Sequence, residues 1–127
     1  PYLRILSEVK LDAEKIAQIY KKGLKLYPKM LQSERIAQPV LVRPLVMVFL
    51  KAETFNDPSV WSGQAGADVL YYPLPVATLF VTAQRDPLRS SLLYGIASHL
   101  CPVRLASSEC HRLASRFEAY YKARTTK

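Results

Sequence analysis

The sequence predicts an α+β fold, with two β-α units forming a small mixed sheet, helices packed on one face, and an extra C-terminal helix. Three observations carry this. Short runs rich in β-branched and aromatic residues read as strands. Longer segments with apolar residues three or four apart read as amphipathic helices. The two kinds follow one another as strand, helix, strands, helix, an order that lays helices on a sheet. At 127 residues the chain suits one domain over 1–127.

Tyr2–Val9 is the first expected strand, because Tyr2, Arg4 and Leu6 alternate with Leu3, Ile5 and Ser7. Asp12 then suits an N-cap, and Glu14 falls in the first turn, where the helix dipole favours negative charge. The helix that follows carries Ala13, Ile16, Ala17, Tyr20, Leu24, Tyr27 and Leu31 on one stripe. Pro28 is expected to end or distort it near Tyr27. Val40–Leu50 is apolar on both faces, as a central strand would be, with Pro44 marking an edge or a break. Thr54–Asp68 holds Asn56, Asp57, Pro58, Gly63 and Gly66, which is loop chemistry. Its apolar Phe55, Val60 and Trp61 suit packing under a long loop, or a lid or partner anchor. Val69–Tyr72 and Val76–Thr82 read as short strands around Pro73 and Pro75.

Asp86-Pro87 opens the next helix, with an N-cap followed by proline at the first helical position. Its stripe is Leu88, Leu92, Leu93, Ile96 and Leu100, and Pro102 stops it. In the last segment Leu113, Ala114, Phe117 and Tyr121 suit a helix capped by Ser107 or Ser108. The same segment also alternates as a strand would, and the helical period is preferred.

Half of the residues are hydrophobic, a globular composition rather than a disordered one. The apolar runs fall short of the roughly 18 residues that cross a bilayer, so no membrane span is expected, and the first residues do not read as a signal peptide. Net charge is +8, from 18 Lys+Arg against 10 Asp+Glu. That balance favours anionic partners. Lys15, Lys22, Lys25 and Lys29 form a basic helix face that suits nucleic acid or an acidic protein. Cys101 and Cys110 are too few for a disulfide scaffold, so a reducing compartment, cytoplasm or organelle matrix, is the default. His99, Cys101, Cys110 and His111 could supply metal ligands or a Cys–His pair, but their spacing matches no standard site, and no metal or other cofactor is expected.

Pro1 is the candidate for chemistry. A leading proline offers a secondary amine, and an apolar pocket beside cations would lower its pKa into the range of a general base. Here Pro1-Tyr2-Leu3-Arg4-Ile5-Leu6, then Leu11-Asp12-Ala13-Glu14-Lys15-Ile16, then Ala77-Thr78-Leu79-Phe80-Val81 leading into Arg85-Asp86-Pro87-Leu88-Arg89, resemble the tautomerase superfamily. In length the chain is most similar to its 5-carboxymethyl-2-hydroxymuconate isomerase branch. The resemblance implies a homotrimer with Pro1 in a pocket between subunits. It implies proton transfer within a small unsaturated keto or enol acid, or, as in some relatives, hydration or dehalogenation. Pro1 would be the base, and Arg4, Arg43 and Arg85 would hold the anionic substrate. A non-catalytic basic subunit of a larger protein or nucleoprotein assembly is the alternative.

Overall fold

The strand register decides which side chains face the helices. The computed structural model describes residues 3–37, 40, 42–55, 69–73, 75–82, 87–102 and 104–125. Among them, β1 (Leu3–Ser7), β2 (Leu45–Leu50), β3 (Val69–Tyr72) and β4 (Thr78–Thr82) form one sheet in the order β1-β2-β4-β3. β1, β2 and β4 run parallel, with Leu3 opposite Leu45 and Val46 opposite Thr78. β3 is antiparallel to β4, with Tyr71 opposite Leu79. Successive side chains on a strand point to opposite faces. Leu45, Met47 and Phe49 of β2 and Leu79 and Val81 of β4 are therefore buried together. Burying each of these large side chains contributes roughly 1.5–3 kcal/mol. Val46, Val48 and Phe80, on the other face, are only half-buried. On that face Leu6 is 50% exposed.

The described residues also form three long helices, α1 (Ala13–Ser33), α3 (Pro87–Leu100) and α4 (Ser107–Thr125), with a four-residue α2 (Ala52–Phe55) between β2 and β3. The expected α+β architecture, with helices against a mixed sheet and a C-terminal helix, is what the chain forms. α3 packs on β3 and β4, and α1 packs beside α3. α4 lies across α1 and α3 rather than on the sheet. The layers meet at Gly23, where an added Cβ would sit 3.2 Å from Ile96 Cγ2 and 3.7 Å from Phe117 Cζ. Tyr27 and Phe117 stack edge to face at 5.4 Å.

Local chemistry explains the boundaries. The Asp12 carboxylate accepts the Lys15 N–H at 3.1 Å, which caps α1 as expected. The helix does not end at Pro28; it runs on to Ser33. Proline costs an interior helix roughly 3 kcal/mol through its missing N–H and ring clash. Leu26, Tyr27, Met30 and Leu31 flank it and are all buried, which outweighs that loss. The buried stripe also differs from the sequence expectation: Ala13 is exposed, and Gly23, Leu26 and Met30 are inside. α1 ends in a Schellman motif, with Ile36 N–H to Leu31 C=O at 2.9 Å and Arg35 N–H to Gln32 C=O at 3.0 Å. Arg35 takes the left-handed conformation this requires, at φ 60°.

β2 begins after Pro44, which lacks a ladder donor, so the central strand is shorter than Val40–Leu50. β1 ends at Ser7 rather than Val9, and β4 begins at Thr78 rather than Val76. α3 starts at Pro87 as expected, and Leu92, Leu93, Ile96 and Leu100 are buried. α4 is helical, with Leu113, Ala114, Phe117 and Tyr121 inward. Cys101 and Cys110 are joined in a disulfide that closes the α3–α4 connection. The chain forms this one bridge although two cysteines are too few for a disulfide scaffold: the connection after Pro102 brings them to a Cα–Cα distance of 5.8 Å, within reach of a disulfide. Among the described residues, no helix is long and apolar enough to cross a membrane.

Candidate functional site

Antiparallel β3 returns its last residues to the end of the sheet where β2 and β4 begin. α3 follows β4 and carries its own C-terminal turn back to that end. Three polar side chains converge there. Arg43 comes from the segment before β2, Tyr71 from β3 and His99 from the last turn of α3. His99 is 1% exposed, and Arg43 and Tyr71 are half-buried.

Their hydrogen bonds form a closed circuit. His99 Nε2 lies 3.1 Å from the Arg43 carbonyl oxygen. A carbonyl only accepts, so Nε2 carries the proton and the ring donates it. Nδ1 is then an acceptor, and the Tyr71 hydroxyl, 2.6 Å away, donates to it. The Arg43 guanidinium donates through Nη2 to the Tyr71 oxygen at 3.1 Å. One strand, one helix and one loop are thus tied by a neutral imidazole of fixed tautomer and a phenol held between a cation and a base.

The electrostatics agree with that protonation. Burial pushes the His99 pKa below the usual imidazole value. The Arg43 charge pushes the same way, against the hydrogen bond to the Arg43 carbonyl. Burial raises the Tyr71 phenol, while the Arg43 charge and hydrogen bond oppose the rise. Tyr20 lies close enough for Tyr71 to add to the upward shift that burial causes in its own phenol. The guanidinium has further N–H donors in a planar fork, the geometry that fits a carboxylate.

Of the residues expected to bind substrate, Arg43 belongs to this cluster. Arg4 is exposed on β1, on the opposite face from Leu3 and Ile5, and is not brought to it. Pro1, Arg85 and the loop carrying Trp61 lie outside the described residues. Tyr71 was not singled out by the sequence, and His99 stood only among metal or Cys–His candidates. The signal available was a histidine in the apolar stripe of α3, since a buried imidazole needs partners for both nitrogens. The four His and Cys residues do not gather: the cysteines bond to each other, and His111 bonds the Tyr94 hydroxyl. Among the described residues, no group of three or more His, Cys, Asp or Glu is placed to hold a metal ion.

Lys15, Lys22, Lys25 and Lys29, with Lys21 beside them, are all exposed on α1. The ion pairs among the described residues lie elsewhere, notably Glu34 with Arg112 and Arg116, each at 3.0 Å, which fastens the end of α1 to α4. Compared with known proteins, the chain matches no family model, no curated protein and no solved structure.

Proposed function

We propose that the Arg43–Tyr71–His99 cluster binds a small unsaturated keto or enol acid and moves a proton on it, as an isomerase or tautomerase does. The hydrogen-bonded circuit carries this reading, with Tyr71 between a guanidinium and an imidazole acceptor. Arg43 would take the substrate carboxylate on its free donors. Tyr71 would pass its proton to Nδ1 of His99 and, as the phenolate, take a proton from substrate carbon. The resulting enolate would be held by Arg43, and the reverse transfer would deliver a proton to the new position. The Arg43 charge stabilises the transient phenolate, and the Arg43 carbonyl stabilises the imidazolium through Nε2–H.

The cluster stands at the edge where β1 also begins. In the tautomerase-like reading of the sequence, Pro1 would be an alternative base. The test is ultraviolet-monitored ketonisation of enolpyruvate-type acids. Tyr71→Phe and His99→Gln should lower kcat by roughly 10²–10⁴-fold, and Arg43→Gln should both raise KM and lower kcat, because it loses the carboxylate contact and the charge that holds the enolate and phenolate. An inactive parent, or full activity in Tyr71→Phe, refutes the reading. Loss of activity only in Pro1→Ala moves the base to Pro1.

The exposed lysine row of α1 favours a second reading, a non-catalytic basic subunit that binds nucleic acid or an acidic protein. Salt-dependent binding that falls in a Lys15/Lys22/Lys29→Gln variant supports it. Binding that ignores ionic strength refutes it.

A further inference from the structure

We propose that a groove between α1 and β1 binds a free apolar carboxylic acid, its chain against Leu3, Ala17, Tyr20 and Leu24 and its carboxylate between Lys21 and Lys25. The groove shares no lining residue with the Arg43 cluster and does not depend on proton transfer there.

The groove encloses about 340 Å³, near the lower end of the roughly 300–1,000 Å³ usual for small-molecule sites. Its walls are almost entirely apolar. Leu3 comes from the outer strand of the sheet, and Ala17 and Leu24 come from α1, about two turns apart on one face. The small Ala17 leaves the space that a larger side chain would fill. Tyr20 is 2% exposed and forms a rigid floor.

The charge at the mouth selects the ligand's head group. Lys21 and Lys25 are both exposed and stand at i and i+4, so their ammonium groups share one side of the helix. Like charges at that spacing repel, and neither lysine forms an ion pair among the described residues. A carboxylate between them removes the repulsion and gains two charge-assisted contacts. The lysine stems extend the apolar wall up to the charged heads. An anionic head on an apolar chain matches both features. A neutral alcohol matches only the walls, and a cationic amphiphile is repelled at the mouth.

The test is a two-dimensional NMR titration of the full chain with octanoate, 1-octanol and octyltrimethylammonium. Octanoate should bind one per chain and shift Leu3, Ala17, Tyr20 and Leu24. Octanol and Lys21→Gln/Lys25→Gln should each weaken binding by roughly five- to tenfold, the loss expected from two partly exposed ion pairs. Ala17→Leu, which keeps a good helix former, should abolish the shifts while far-UV circular dichroism stays unchanged. If Ala17→Leu fails to fold, the lysine double variant decides. Equal affinity for octanoate and octyltrimethylammonium, no shifts at millimolar octanoate, or shifts that follow protein concentration because a second chain occupies the groove, each overturn the proposal.

Discussion

Gly95→Ala should destabilise the protein even though alanine is the better helix former. An added Cβ at Gly95 would lie 2.5 Å from Leu79 Cδ1, 2.6 Å from Cδ2 and 3.0 Å from Cγ. Favourable carbon contacts lie at about 3.5–4.0 Å, so the intrusion is about 1 Å at two methyl groups. Leu79 is fully buried on β4, so its side chain can yield only by displacing its packed neighbours. Overpacking of this kind costs about 1–3 kcal/mol. Replacing glycine inside a helix returns about 1 kcal/mol. The net loss should be about 1 kcal/mol, or a fall in Tm of about 3–5 °C for a chain of this size.

Gly23→Ala is the matched control on α1. There the added Cβ meets Ile96 Cγ2 at 3.2 Å and Phe117 at 3.7 Å, which a shift of a few tenths of an ångström relieves. It should be neutral or stabilising by up to about 1 kcal/mol. Urea unfolding followed by circular dichroism, with unchanged slope, measures both. In a double-mutant cycle, Leu79→Ala should relieve the Gly95→Ala clash, so the pair destabilises less than the sum of its parts. His99 follows Gly95 by one helical turn, so displacing α3 should also disturb the Tyr71–His99 contact and the imidazole resonances. Gly95→Ala as stable as Gly23→Ala would refute this account of how α3 sits on β4.

Two further predictions concern the ends of α3 and its histidine. The Cys101–Cys110 link spans a sequence separation of 9. The loop-entropy relation assigns closure of a ring of that size about 2.7 kcal/mol; Cys101→Ser/Cys110→Ser, or reduction, should lower unfolding free energy by roughly 2–3 kcal/mol, and unchanged stability on reduction would contradict a native disulfide. His99 binds its proton less readily folded than unfolded. Below the unfolded imidazole pKa of about 6.5 the unfolded chain therefore holds more protons, and stability should fall with pH at no more than about 1.4 kcal/mol per unit. The fall should cease below the folded-state pKa and be absent in His99→Gln; the same slope in both would remove His99 as its cause.

Much of the fold was legible because it rests on local pattern. The Asp12 cap, the α3 start at Pro87, the period of α4 and the strand at Val69–Tyr72 each depend on residues close in sequence. Pro28 misled because its local penalty was set against burial on both sides of it, which only the packed helices supply. Arg43 was singled out as a carboxylate binder from its charge and its place at a strand. Its partners were not legible, because Tyr71 and His99 are each 28 residues or more away in the chain from the group they bond.

The sequence by itself determined the α+β class, the order of elements and the basic charge, since periodicity, capping and composition act within a few residues or over the whole chain. Only the tertiary structure decided the strand order β1-β2-β4-β3, the third layer made by α4, the disulfide and the Arg43–Tyr71–His99 circuit. These depend on which distant surfaces bury one another. The antiparallel return of β3 and the close seat of α3 on Leu79 bring Arg43, Tyr71 and His99 to one edge, and no spacing along the chain encodes that meeting.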